Sequence, residues 1–170
     1  MSVNEHKSEA PKNVKCKIIT ISDTRTMETD KSGQLMISML NEYGHEIIDY
    51  EIVKDEQEAI QHAIIRGCEN NDIDIILTNG GTGIAKRDVT IEIVQQLIEK
   101  EIVGFGELFR MLSYTEDIGS AAILSRAIAG IRDNTAIFST PGSSGAVKLA
   151  MTKLILPELG HVVRELKKDL

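Results

Sequence analysis

The stretch TNGGTGIAKRDVT, residues 78–90, decides how the rest of the chain is read. Ahead of it stands IDIIL (73–77), a short apolar run rich in β-branched residues, the pattern of a strand buried on both faces. Gly80, Gly81 and Gly83 then permit a sharp turn and leave backbone N–H groups uncovered. From Val89 onward a helical pattern sets in, with Ile91, Val94, Leu97 and Ile98 on one face. Strand, glycine-rich turn and helix start together present backbone donors and a positive helix end to an anion. Thr78, Asn79, Thr82, Arg87, Asp88 and Thr90 crowd the same segment. Arg87 and Asp88 set a base beside an acid just before the helix, where a metal-bound phosphate can rest. A plain tight turn accounts for the glycines, and less well for that polar set.

Outward from this segment, strands alternate with helices. KCKIITIS (15–22) reads as the first strand, followed by a polar loop and a helix facing Leu35, Met36, Met39, Leu40 and Tyr43 inward, with Gly44 closing it. HEIIDYEIV (45–53) is a second strand, and residues 55–69 a helix burying Ala59, Ile60, Ala63 and Ile64. Beyond the glycine segment, GFGELFRMLSY (104–114) is helical, and 120–128 repeats that pattern through Ala121, Leu124, Ser125 and Ile128. TAIFS (135–139) is another buried strand, running into the turn TPGSSG; two helices, 147–155 and 158–168, close the chain on either side of Pro157. This order predicts an α/β fold with a doubly wound, mostly parallel sheet and right-handed connections. Residues 14–170 are expected to form one domain and 1–13, polar and aperiodic, a flexible tail.

Composition narrows the chemistry. With 42% hydrophobic but only 4% aromatic residues and no Trp, the core must be aliphatic. A net charge of −7 and a pI near 5.1 leave no general basic surface for nucleic acid, so an anion must be held by local donors. Cys16 and Cys68 lack metal-ligand spacing and read as buried small hydrophobes of a reducing compartment. His6, His45, His62 and His161 are scattered, with nothing resembling a zinc site. No leader or membrane-spanning run is visible, and a cytoplasmic protein without a membrane partner is expected.

In an open α/β sheet, ligands bind where the strands end at their carboxyl sides. Those ends deliver Ser22, Asp23 and Thr24, then Asp55, then the glycine turn, then Thr140, Gly142, Ser143 and Ser144. Pro141 and Gly142 form a second turn, and the two serines can cap the next helix or bind a ligand. Asp55 and Asp88 have two readings as well: acids at helix openings, or magnesium ligands beside the phosphate loop. Glu107 and Arg110, at i and i+3, can be a surface ion pair; Phe105 and Phe109 read as core. Neither a Walker A motif nor a Rossmann fingerprint is present.

SDT (22–24), DE (55–56), TNGGTGIAKRDVT, GFGELFR and TPGSSGAVKLAM together resemble the MoaB/MogA type of molybdenum cofactor biosynthesis protein, related to the gephyrin G domain. GFGELFR and PGSSGAV lie closer to MoaB. The resemblance implies the molybdopterin-binding fold, three layers with helices on both faces, and a homo-oligomer, trimer or hexamer, with other proteins of the pathway as further partners. It implies adenylylation of molybdopterin with ATP and Mg2+, with a non-catalytic molybdopterin carrier as the alternative. On that resemblance, Asp55 and Asp88 are the catalytic and metal-binding pair. Ser22, Thr24, Asn79, Gly80, Gly81, Thr82, Gly83, Arg87, Glu107, Gly142, Ser143 and Ser144 bind substrate. Ser144 departs from a proline common in MogA-like chains. Lys86, Arg87 and Lys148 are placed to offset phosphate charge. Flavodoxin-like and receiver-like domains fit poorly, because the first strand leads into SDTRT and the third ends in Thr78 and Asn79.

Overall fold

Six strands, the inner ones rich in isoleucine and threonine, form one sheet. The structure, a computed structural model, describes residues 2–170. The strands are β1 (Lys15–Ile21), β2 (Glu46–Val53), β3 (Ile75–Asn79), β4 (Lys100–Glu101), β5 (Ile128–Arg132) and β6 (Thr135–Thr140). They lie in the order β2-β1-β3-β6-β5-β4; the first four are parallel, and β5 runs against both β6 and β4. The chain winds from β1 to β2 on one side and from β3 to β6 on the other. The switch therefore falls between β1 and β3, where such folds open a crevice at the carboxyl ends.

Period-two alternation sends successive side chains of each inner strand to opposite layers. Cys16, Ile18, Ile75, Leu77 and Phe138 pack with Met36 and Leu40 of α2 (Lys31–Glu42), Phe105 and Phe109 of α5 (Val103–Glu116), Val147 of α6 (Ser144–Ala150) and Leu159 of α7 (Leu156–Lys167). Ile19, Ile21, Ile76 and Ile137 pack with Ile60 and Ile64 of α3 (Gln57–Glu69) and Ile91 and Val94 of α4 (Thr90–Leu97). Helices on both faces of a mostly parallel sheet match the expected three-layer arrangement. Gly44, at φ 80°, ends α2 as its position suggests. Among the described residues, no helix is long and apolar enough to cross a membrane. Burial pushes the thiol of Cys16 up to about 12 and that of Cys68 to about 11, which keeps both inert.

Three expectations need correction. Residues 120–128 are not a regular helix: a 3-10 turn, Gly119–Leu124, gives way to β5 from Ile128. The β5–β6 hairpin turns at Asp133 and Asn134, with Asp133 at φ 52°, a conformation short polar side chains tolerate. Pro157 does not divide the last helix. It occupies the first turn of α7, and a π-helical stretch, Met151–Ile155, joins α6 to α7 without a break. The segment 1–13, aperiodic in sequence, is not without regular structure: Val3–Glu9 form a helix, α1, opened by a Ser2–Glu5 capping box. It pairs with α7 through Lys7–Glu158 and Glu9–Arg164. Met1 of that segment lies outside the described residues.

A charge lies within the sheet. Lys17 of β1 is 2% exposed at its side chain, with Nζ 3.1 Å from Asp49 and 2.9 Å from Glu51 of β2. The β1–β2 register shifts at this point, between Cys16 and Lys17. Arg66 of α3 bonds both carboxylate oxygens of Glu51 at 2.9 Å, completing the network.

Candidate functional site

The glycine turn grows directly out of β3. Thr78 and Asn79 belong to the strand itself and are buried: Thr78 Oγ1 donates to Ser139 Oγ at 2.8 Å, and Asn79 Nδ2 to Thr20 Oγ1 at 2.9 Å. Asn79 thus supports the turn from beneath, with its hydrogen-bonding groups already engaged. Gly80 (φ 101°) and Gly81 (φ 66°) then turn the chain through the left-handed region, which favours glycine at both positions. Gly80 N–H is held by Thr140 O at 3.1 Å, so the turn is fastened to the end of β6. Among the described residues, the N–H groups of Gly81, Thr82 and Gly83 take no partner within the chain.

Three further segments arrive at the same edge. After β1, Ser22 Oγ accepts from the N–H groups of Thr24 and Arg25 at 3.2 and 3.1 Å; it shapes its own turn, and leaves Thr24 exposed. Asp23 accepts from Asp55 N–H at 3.0 Å and pairs with Arg87, tying the β1 and β2 loops to the glycine segment. After β6, Gly142 packs against Gly80: a Cβ on Gly142 would stand 3.2 Å from the Gly80 Cα. Ser143 is the N-cap of α6, accepting from Ala146 N–H at 3.2 Å, so its side chain is committed to the helix. Ser144 is exposed, 3.5 Å from Ser32 Oγ.

The acids meet beside the glycine turn, as strand order implies. Asp55 and Thr90 flank Gly81, whose Cβ, if it had one, would lie 3.2 Å from Asp55 Oδ1 and 2.2 Å from Thr90 Oγ1. Both of those oxygens are buried without a hydrogen-bond partner. Burial, and then the nearby charge of Asp88, hold the Asp55 carboxyl above its ordinary value. Asp88 is not a helix cap: Val89 holds that position without a side-chain bond, while Asp88 Oδ2 accepts from Ala85 N–H at 3.0 Å and lies against Gly83. Two carboxylates brought together with an orphaned oxygen and a free hydroxyl form a donor set suited to a hard divalent cation such as Mg2+. Glu107 stands apart. It is exposed on α5 and, among the described residues, makes no hydrogen bond or ion pair; Arg110 bonds Ala127 O instead. Phe105 and Phe109 are core.

Two arginines escape the sequence reading. Arg25 donates to Gly142 O at 2.8 Å and Asn79 Oδ1 at 3.3 Å and pairs with buried Asp30 at 3.4 Å, so one guanidinium joins the two turns. Its place straight after SDT is the available signal. Arg126 donates to Thr82 O at 3.0 Å, Gly83 O at 3.1 Å and Asp88 O at 3.2 Å, and pairs with Glu92. It clamps the glycine segment through three of its carbonyls. No local motif marks it. Beside the start of α6, a cavity of about 630 Å3 is lined by Asp117, Gly145, Lys148 and Lys153, among others.

The family described as "Probable molybdopterin binding domain" matches residues 17–161. Molybdenum cofactor biosynthesis protein B of Bacillus subtilis (strain 168) is 69% identical over 169 residues, covering 99% of both chains. The chain belongs to this molybdopterin-binding family. A crystal structure of a molybdenum cofactor biosynthesis protein B superposes with a TM-score of 0.92 at 66% identity, covering 94% of this chain and 99% of that one. The tungsten cofactor synthesizing protein MoaB from Pyrococcus furiosus does so at 0.83 and 38% identity, covering 93% and 99%. Membership places the chain in molybdenum cofactor biosynthesis, with a molybdopterin-binding domain of MoaB type.

Proposed function

We propose that the edge of the sheet where the two glycine turns meet binds molybdopterin and ATP and transfers adenylate from ATP to the terminal phosphate of the pterin. A phosphate oxygen of molybdopterin attacks the α-phosphorus; the new P–O bond forms as the α–β anhydride bond breaks, and pyrophosphate leaves with the bonding electrons. The nucleophile is already an anion, so no strong base is needed. Positioning and charge neutralisation carry the rate. The uncommitted N–H groups of Gly81, Thr82 and Gly83 are placed to hold phosphate oxygens. Lys86, Arg87 and Lys148, all exposed, supply positive charge around them. Asp55 and Asp88, with Thr90 beside them, would hold Mg2+. Bound there, Mg2+ would neutralise phosphate charge as it builds.

The observation that carries this reading is the pair of orphaned oxygens, Asp55 Oδ1 and Thr90 Oγ1, beside the uncommitted amides. A site that served only as a turn would have satisfied them. The deciding experiment is pyrophosphate release by the purified chain, dependent on both ATP and molybdopterin. Tight pterin binding with no release would make the chain a carrier. The same reading includes a homo-oligomer. Leu108, Met111 and Tyr114 of α5 and Ile118, Ile123 and Leu124 beyond it are 47–84% exposed, an apolar band suited to a second copy.

A further inference from the structure

His6 and His161 are far apart in sequence and give no metal signature there, yet the fold brings them together. His6 Nδ1 lies 3.4 Å from Glu165 Oε1, and the two imidazoles meet edge to face with centroids 5.7 Å apart. One ligand atom from each of His6, His161 and Glu165 falls within 4.8 Å of the others, and all three residues are half-buried. We propose that these three side chains form a binding site for a divalent transition-metal ion of the zinc class, joining α1 to α7.

The chemistry of the set supports this. Two imidazoles and one carboxylate are borderline nitrogen and oxygen donors, which favour Zn2+ and its neighbours over Mg2+ or Ca2+. His161 and Glu165 are spaced i, i+4 and share one face of α7. Glu158, three residues before His161 on that face, has Oε2 3.0 Å from His161 Nδ1. A carboxylate accepting from Nδ1–H orients the ring and leaves Nε2 as the ligand atom, the arrangement common behind metal-bound histidines. Ligand atoms around a tetrahedral ion with bonds of about 2.0–2.1 Å sit closer than the present spread, so the cluster must contract by roughly 1 Å. Glu165 also accepts from Arg164 at 2.8 Å and Lys168 at 2.9 Å. Lys168 holds the far oxygen, Oε2, and Arg164 holds Oε1, the oxygen facing His6, which has a second lone pair to give an ion. His161 and Glu165 both border a hollow of about 450 Å3, which gives an ion a way in.

The consequence falls on α1. No residue of that helix is buried, and its hold on α7 includes ion pairs with a solvent-exposed partner on α1, Lys7–Glu158 and Glu9–Arg164. Water screens pairs of this kind, so each holds the helix only weakly. A metal ligated from both helices would be the strongest link between them.

The test is titration of the full-length, untagged chain with Zn2+ by calorimetry, and with Co2+ by visible absorption. One ion per chain is expected, with the intense d–d bands of a tetrahedral Co2+ site. His6→Ala and His161→Ala, both at surface positions, should each abolish those bands with an unchanged circular dichroism spectrum. Glu158→Gln should weaken binding on the order of tenfold. Hydrogen exchange across residues 3–9 should slow with Zn2+ in the wild type and stay unchanged in His161→Ala. A chain carrying both Asp55→Asn and Asp88→Asn should bind the ion as the wild type does, which separates this site from the proposed Mg2+ site. Absence of binding at micromolar Zn2+, or equal binding in the histidine variants, overturns the proposal and leaves the adenylylation reading untouched.

Discussion

Replacing Asp55 with Asn should make the metal-free protein more stable while removing the proposed pyrophosphate release. The Asp55 carboxylate is a cost to folding: Oδ1 is buried with no donor, and Asp88 adds like charge. Leaving a buried polar group unsatisfied costs about 1–3 kcal/mol; an Asn amide removes the like charge and can donate to Thr90 Oγ1, and the partial burial of the site points to the low end, about 1 kcal/mol. For a domain of this size that is a rise in Tm of about 2–4 °C. The pH dependence has a definite sign. Because the carboxyl pKa is raised in the folded chain, the folded state holds this proton more tightly than the unfolded chain does. That advantage is lost as pH climbs from the ordinary value of 3.8 through the raised one. The gap between variant and wild type should therefore be widest at neutral pH and close as pH falls into the carboxylate range. Calorimetry in a chelator-containing buffer at several pH values measures it. Added Mg2+ should raise the Tm of the wild type more than that of the variant. An Asp55→Asn variant that melts at or below the wild-type temperature at neutral pH, without metal, would refute the claim that the site carries an unmet charge.

Asp88→Asn keeps an acceptor for Ala85 N–H, so Tm should hold while pyrophosphate release falls on the order of 100-fold; wild-type turnover would return Asp88 to a purely loop-closing role. Gly81→Ala forces a side chain at φ 66° onto Thr90 Oγ1 and should cost more than about 1 kcal/mol together with ligand affinity, read by melting and pterin titration on the same sample. Arg126→Lys keeps the charge but loses the fork that spans three carbonyls, so nucleotide affinity should drop on the order of tenfold by equilibrium titration, with a smaller change in Tm. Met111→Glu, on the exposed face of α5, should shift light scattering toward monomer.

What the sequence discloses, and what it withholds, follows the range of the interactions. β1, β3 and β6 are buried runs and β2 a half-buried edge strand, each with its own local signal and legible to within two residues of its start. β5 is not, because Ala121, Leu124, Ser125 and Ile128 happen to fit a helical period, although Asp133 and Asn134 between two apolar runs mark a hairpin. Pro157 looks like a divider because a proline usually ends a helix, and nothing local announces that a π turn will absorb its missing donor. At the site, the convergence of Asp55, Asp88 and both glycine turns follows from strand order alone. Which side chains face the crevice does not. Asn79 and Ser143 carry the right chemistry and commit it to Thr20 and the start of α6, a distinction that only packing decides. Arg126 reaches the loop from a distant segment, and α1 is fixed by partners on α7, so neither is visible to a local reading.

The buried Lys17 acts as a ruler for the far end of the sheet. Sliding β2 by one residue along β1 would bring Ile48 and Tyr50, or Tyr50 and Ile52, to the places of Asp49 and Glu51 and leave an ammonium sealed in without counter-charge, a penalty of several kcal/mol. The same slip would carry Val53, and Asp55 just beyond it, about 3.3 Å along the strand direction, away from Gly81 and Thr90. Pairing in the wrong frame and misplacing the Asp55 carboxylate are thus one error. A charge at the base of the sheet proofreads the geometry of its mouth.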